Sequence, residues 1–332
     1  KTISGAFKGM VTAGISDAVF TEFTGDPVQV LLFFVIILVV TTFIISRGVK
    51  EGIEKWTKVL MPLLFLLIVY LAIRALLLPG AEKGISFYLN PDFSKLSGKV
   101  ILMALGQAFF SLSLGMGIMV TYGSYINKQD NLVTSAGWVC FSDFLIAFLA
   151  GIIIFPTLFA IPGISPAAGP GLVFKVFPLI FSQIPGGTFF GALFFMLLIV
   201  AALTSTISLL EVPVAFLMDE LNWTRAKSAW IMGSIIFILG VPSALSAGGM
   251  AFFTKIDFLG KVDFIFGNIS LAVGAFFLCI FVGYIWKIKN ALKEISAGSP
   301  RFKLGPVWAF SVKFFTPIII LFILYFIKTI AG

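Results

Sequence analysis

Histidine is absent from the 332 residues, and only 11% of them carry charge. Losing histidine removes the commonest metal ligand and the side chain that most often serves as general base near neutrality. No metal-binding spacing and no paired acidic dyad takes its place, so a hydrolase or metalloenzyme is disfavoured. Cysteine is nearly absent too: Cys140 and Cys279 sit inside apolar runs, without motif spacing, and read as inert packing residues. What fills the chain is apolar. Hydrophobic residues make up 59%, the mean hydropathy is +1.10, and no soluble domain needs that much oily surface. The composition is that of an all-α polytopic membrane protein. The net charge of +8 fits basic loops on the cytoplasmic side of a bilayer better than nucleic-acid binding.

A spanning helix needs about 20 mostly apolar residues. Eight stretches qualify: Val28–Ile45, Trp56–Leu78, Val100–Tyr125, Leu132–Phe159, Thr188–Leu217, Ala226–Leu245, Val262–Ile285 and Trp308–Ile327. Placing the first inter-helix loop in the cytoplasm gives the inside loops about 12 basic residues on roughly 45 positions, Arg47, Lys128, Lys289 and Lys303 among them. The outside then holds about 9 on roughly 100. The longest connection, Ala160 to Gly187, is apolar rather than polar. Gly169-Pro-Gly171 and Pro185-Gly-Gly187 bracket the run Leu172–Ile184. It reads as a short helical hairpin dipping back toward the protein, either a lid or a peripheral interfacial helix. The chain opens on Lys1 with no signal peptide, and its first thirty residues read as a polar loop entering a helix at Pro27. The expectation is that an N-terminal part precedes it.

Polar groups at mid-membrane are costly and are candidates for function. The stretch Gln107-Ala-Phe-Phe-Ser-Leu-Ser-Leu-Gly-Met-Gly117 places two glycines, two serines and a glutamine at the centre of a spanning run. Each glycine costs roughly 1 kcal/mol against alanine in a helix interior, so a break is expected, with half-helices ending near Phe110 and restarting near Gly115. Freed backbone in hydrocarbon is tolerated where it lines a cavity or meets other protein. The segment is therefore either a ligand site with Phe110 and Met116 as walls, or a close helix contact through small residues. In the fifth run, Ala201, Thr204, Ser205 and Ser208 share one helical face. Two hydroxyls beside a backbone carbonyl suit Na⁺, or they hydrogen-bond back to their own helix. Asp143, alone at the middle of the fourth run, serves a cation or a proton, or is structural. Asp219 and Asp263 sit near helix ends, where solvated caps are the plainer account. Glu211, buried in the fifth run, has no role derivable from sequence.

These residues carry a resemblance. Gly106–Gly117, then Thr121-Tyr-Gly-Ser-Tyr125 and Ala201-Ala-Leu-Thr-Ser205, resemble the sixth and eighth helices of the neurotransmitter:sodium symporters, with the bacterial hydrophobic amino-acid branch nearest. Arg47–Lys55 and Trp286–Ile295 resemble two of the family's inside loops, so the likeness runs over essentially all 332 residues. It implies a leucine-transporter-like inverted-repeat fold covering helices four to eleven and lacking the first three, eight transmembrane helices being present. Residues 1–332 would then form one transporter domain: 1–99 the outside loop and last two helices of the first repeat, 100–287 the complete second repeat, 288–332 a cytoplasmic loop and final helix. It implies one sodium site at Ala201, Thr204 and Ser205, and another at Ser111 and Asp143. The implied substrate pocket holds Phe110, Ser111, Ser113, Met116, Ser205 and Leu209. Gln107 and Asp263 match an outer gate, where Asp263 would pair with an arginine of the missing first helix. Tyr125 and Asp219 match an inner gate.

The implied activity is sodium-coupled uptake of an amino acid by alternating access in the inner (plasma) membrane. No cofactor is expected beyond Na⁺ as coupling ion. The expected partners are the amino acid, Na⁺, the bilayer and the missing N-terminal helices, with no nucleic acid. Asp143 stands where chloride-dependent relatives carry asparagine, which implies chloride independence, and flexible Met116 implies varied apolar or aromatic substrates. A proton-coupled or exchange-type transporter of the same fold is the alternative.

Overall fold

The computed structural model describes residues 13–160, 172–300 and 302–331, and every regular element among them is helical. Helix α1 spans Ala13–Gly25 and α2 spans Pro27–Ser46. Asp26 separates them: its carboxylate accepts the amides of Val28 and Gln29 at 2.9 and 3.2 Å, and Pro27 takes the first turn, where a missing N–H costs nothing. The Gln29 side chain above all, then those amides, hold the Asp26 carboxyl below the usual carboxylate range. Helix α3 (Val49–Leu76) begins with a π-helical turn, α4 (Ala81–Leu89) follows an αL glycine at Gly80, and α5 (Gly98–Ser111) starts under a Ser97 cap. Next come α6 (Ile118–Gly123), α7 (Leu132–Phe159), α8 (Leu172–Gln183), α9 (Gly187–Leu221) and α10 (Arg225–Leu245). After a short α11 (Ala251–Lys255) come α12 (Phe258–Ile285), α13 (Ile288–Gly298) and α14, whose membrane-spanning part is Gly305–Phe326.

Seven of these, α2, α3, α7, α9, α10, α12 and α14, are long and apolar enough to cross a membrane. The eighth expected span, Val100–Tyr125, is two shorter helices, α5 and α6, with Leu112–Gly117 between them. Side chains on the spanning helices face outward in number, Ile238 and Leu239 among them at 67% and 69% exposure. That is the surface a lipid tail wets at no cost.

The chain divides into two compact units, residues 1–91 with 145–259, and residues 92–144 with 260–332. In the first unit, α2 packs against α9 and α10, and α3 against α9. The inward face of α3 reads Leu60, Leu64, Leu67, Ile68, Leu71 and Ala75, the spacing of one helical stripe. It meets Ile152 and Ile153 of α7, with Phe190, Phe194, Leu197 and Val200 of α9 in the same core. Lipid tails are as apolar as leucine, so this core is held by close packing and dispersion rather than by escape from water. Helix α8 joins it. Phe177 is fully buried and stacks on Phe194 at 4.9 Å, and Leu179, Ile180 and Phe181 are buried beside it. The Leu172–Ile184 run thus dips into the protein rather than lying peripherally; Gly169–Gly171, its expected first bracket, falls outside the described residues. In the second unit, α12 packs on α14 through the small residues Ala272 and Ala275 against Ile320, with α5 against both.

Candidate functional site

The break between α5 and α6 belongs to the second unit. The helical ladder ends with the Leu112 amide donating to Ala108 at 3.0 Å and the Leu114 amide to Phe109 at 3.0 Å. Three alternate residues then take positive φ: Ser113 at 56°, Gly115 at 84° and Gly117 at 80°. Gly115 has a second reason to be glycine. A Cβ there would sit 2.2 Å from the Leu271 carbonyl oxygen of α12, so the bare backbone is pressed against its neighbour. The expected restart at Gly115 is displaced to Ile118, because the αL positions extend the irregular segment by three residues.

Ser111, the last residue of α5, donates its hydroxyl proton to Asp143 of α7 at 2.5 Å. The two residues matched to one sodium site are therefore joined, although 32 positions separate them. The serine proton points at the carboxylate, so the serine lone pairs and the second carboxylate oxygen remain as ligands for a hard cation. Above the break lies a cavity of about 530 Å³ within the same unit. Gln107 and Phe110 of α5 line it together with Asp263 and Asn268 of α12, and Ile320 and Ile323 of α14 close its far side. Gln107 and Asp263, matched to the outer gate, thus line the same cavity. After an α-helical first turn, α12 is π-helical at Asp263–Ile269, and the Asn268 amide donates to the Asp263 carbonyl at 3.3 Å. Ser113 and Met116 lie in the irregular segment and are half-buried. Tyr125, exposed, sits just past α6 with its ring 6.3 Å from that of Tyr122.

In the first unit, Ala201, Thr204, Ser205 and Ser208 occupy one face of α9, as the spacing implies. Thr204 and Ser205 both donate to the Ala201 carbonyl, at 2.9 and 3.1 Å, and Ser208 donates to Thr204 at 3.2 Å. That is the back-bonded arrangement, and it leaves the hydroxyl lone pairs directed away from the helix while gathering three oxygens within one turn. Ser205 and Leu209 are exposed on that face, Leu209 at 51%. Asp219 is exposed near the end of α9.

Sequence reasoning missed the partner of Glu211. This carboxylate is fully buried in α9 and paired with the Arg225 guanidinium at the start of α10, whose Nε also donates to the Ile45 carbonyl of α2 at 2.8 Å. A signal for it existed. Only Asn222–Thr224 separate the two helices, so the hairpin folds Arg225 back along α9.

A model of the sodium:neurotransmitter symporter family matches residues 15–331. An uncharacterized sodium-dependent transporter of Haemophilus influenzae is 40% identical over 304 residues, covering 90% of this chain and 65% of its own length. The uncharacterized sodium-dependent transporter YhdH of Bacillus subtilis is 37% identical over 327 residues, covering 97% of this chain and 72% of its own. The crystal structure of MhsT in complex with L-phenylalanine superposes with a TM-score of 0.84 at 41% identity, covering 97% of this chain and 73% of MhsT. The chain spans about two thirds to three quarters of these relatives. With its apolar helices, its helix broken between Ser111 and Ile118, and a match from end to end, this multi-pass membrane chain belongs to the sodium:neurotransmitter symporter family.

Proposed function

We propose that the intact protein is a sodium-coupled symporter that imports hydrophobic or aromatic amino acids across the inner membrane by alternating access, without chloride. In this reading the helices described above are completed by others that supply the rest of the substrate pocket and a cation facing Asp263, and α5 with α6 counts as the eighth span. The observation that carries it is the Ser111–Asp143 hydrogen bond at the broken helix. In this reading the carboxylate at that point supplies the oxygen ligands and the negative charge beside a bound Na⁺, the part that chloride plays where the residue is neutral. The hydroxyl turn Ala201–Ser205 is the proposed second Na⁺ site. Phe110, Ser111, Ser113, Met116, Ser205 and Leu209 are the proposed substrate contacts, and Tyr125 with Asp219 the inner gate. MhsT, the structural neighbour, holds L-phenylalanine, which supports an apolar amino acid here.

Uptake into proteoliposomes made with the intact protein tests the proposal. Leucine or tryptophan uptake is expected to follow an inward Na⁺ gradient and to persist when chloride is replaced by gluconate. A strict chloride requirement overturns the role given to Asp143, and uptake driven by a proton gradient without Na⁺ overturns the coupling ion. Glycine outcompeting leucine and tryptophan overturns the substrate class.

A further inference from the structure

Helix α13 takes no part in the proposed transport site, yet its two faces are sharply sorted. Over its 11 residues Ile288, Ala291, Leu292 and Ile295 form one stripe, with Ala291 buried and the other three half-buried. The opposite face carries Lys289 and Lys293, one turn apart and both exposed, between Asn290 and Ser296. Lys287, just before the helix, and Lys303, just after it, are exposed as well. The acids nearby are Glu294 on the helix and Asp130 on the loop before α7, whose backbone lies against Gly298 and whose carboxylate already accepts the Asn127 amide at 2.9 Å.

The placement of this helix is constrained from both ends. Two residues separate it from the end of spanning helix α12 at Ile285, and six from the start of spanning helix α14 at Gly305. A connection that short keeps α13 at the membrane boundary. Its C-terminal end is fastened there: Ser299 donates to Asn131 Oδ1 at 2.6 Å, the same oxygen that caps the Thr134 amide of α7 at 2.9 Å. Around it the ends of the spanning helices present exposed apolar and aromatic groups, Tyr284, Ile285, Leu304 and Val307.

We propose that α13 and its flanks form a docking surface for anionic phospholipid headgroups, with Lys287, Lys289, Lys293 and Lys303 as the binding cations. The apolar stripe is already spent on the protein, so the helix does not insert. Its lysines instead lie at headgroup depth, where each cation near an anionic leaflet adds to retention. The exposed apolar ends of α12 and α14 take the acyl chains of the same lipid. This assignment needs only that the helices span a membrane, and stands apart from the identity of any transported solute.

Native mass spectrometry of the full-length protein, purified in mild detergent with equimolar phosphatidylglycerol and phosphatidylcholine, tests it. The wild type is expected to retain phosphatidylglycerol over phosphatidylcholine, and the variant with all four lysines changed to glutamine to lose most of that preference, by about fivefold or more. Changing the same lysines to arginine should keep it, and K83Q with K95Q, on the opposite side of the membrane in our orientation, should not alter it. A second readout needs no lysine variant. In vesicles, Trp286, adjoining α13, should be quenched more by brominated phosphatidylglycerol than by brominated phosphatidylcholine, read as the difference between wild type and W286F. Equal quenching by the two lipids, or an unchanged preference in the glutamine variant, overturns the proposal. Displacement of the lipid by glycerol phosphate alone would show that the headgroup binds without the chains and overturns the assignment to a lipid surface.

Discussion

Ser205 stands at the point where the proposed chemistry depends on single oxygen atoms. Its hydroxyl and that of Thr204 converge on the Ala201 carbonyl, and a small cation gains its selectivity from the number of such oxygens. Ser205→Ala removes one. Half-saturation of substrate binding by Na⁺ is expected to shift upward about tenfold, equivalent to roughly 1.4 kcal/mol, with a smaller loss of substrate affinity remaining at saturating Na⁺ because Ser205 is also a proposed substrate contact. A Na⁺ titration by scintillation proximity on the intact protein reads this directly, and an unchanged curve counts against the site. Glu211 and Arg225 obey a different rule. A buried ion pair adds little net stability, but removing one partner leaves the other charged in a low-dielectric surround, at about 3–5 kcal/mol. Arg225→Met should therefore lower the unfolding midpoint in detergent sharply, and adding Glu211→Leu should restore much of it.

At the scale of elements, the helix break was legible and its geometry was not. Gly-Met-Gly beside Ser-Leu-Ser marks irregular backbone in any apolar run, but Ser113 at positive φ is not foreseen by composition, since left-handed serine is uncommon. That residue lengthens the gap and moves the restart to Ile118. Helix α7 is the contrary case: its hydropathy run and its observed span coincide at Leu132–Phe159, because the apolar run ends where the helix does. The π-helical turns at Val49–Glu54 and Asp263–Ile269 left no trace in the hydrophobic pattern, which is too coarse to register one inserted residue. Gly115 offers the test at this scale. Alanine there meets both a positive φ and the Leu271 carbonyl, costs of about 1–3 kcal/mol for the backbone conformation alone. Gly115→Ala is expected to lower the thermal midpoint and weaken amino-acid binding together, whereas Gly123→Ala, with open space around its Cβ position, should do neither.

For the whole molecule, length and hydropathy alone pointed to a bundle of spanning helices, because a bilayer admits few other architectures. The candidate site was legible in part. Residues close in sequence, such as Ala201 to Ser208, were found by helical spacing. Ser111 with Asp143 was joined through a family resemblance rather than through any local pattern, since no periodicity links two helices. The Glu211 pair escaped because its partner lies beyond a turn. That pair has a consequence for how the chain enters the bilayer in the first place. An ionisable group at the middle of a helix costs a few kcal/mol at translocon-mediated insertion, and α9 carries Glu211 well inside its length. With Arg225 only three connecting residues past the end of α9, the acid has a counter-ion as soon as the hairpin closes. Helices α9 and α10 should therefore insert as one unit. In a glycosylation-reporter assay the hairpin is expected to integrate more completely than α9 alone, an advantage that Arg225→Met should remove. The ion pair then matters during biosynthesis, before the membrane holds a folded protein to stabilise.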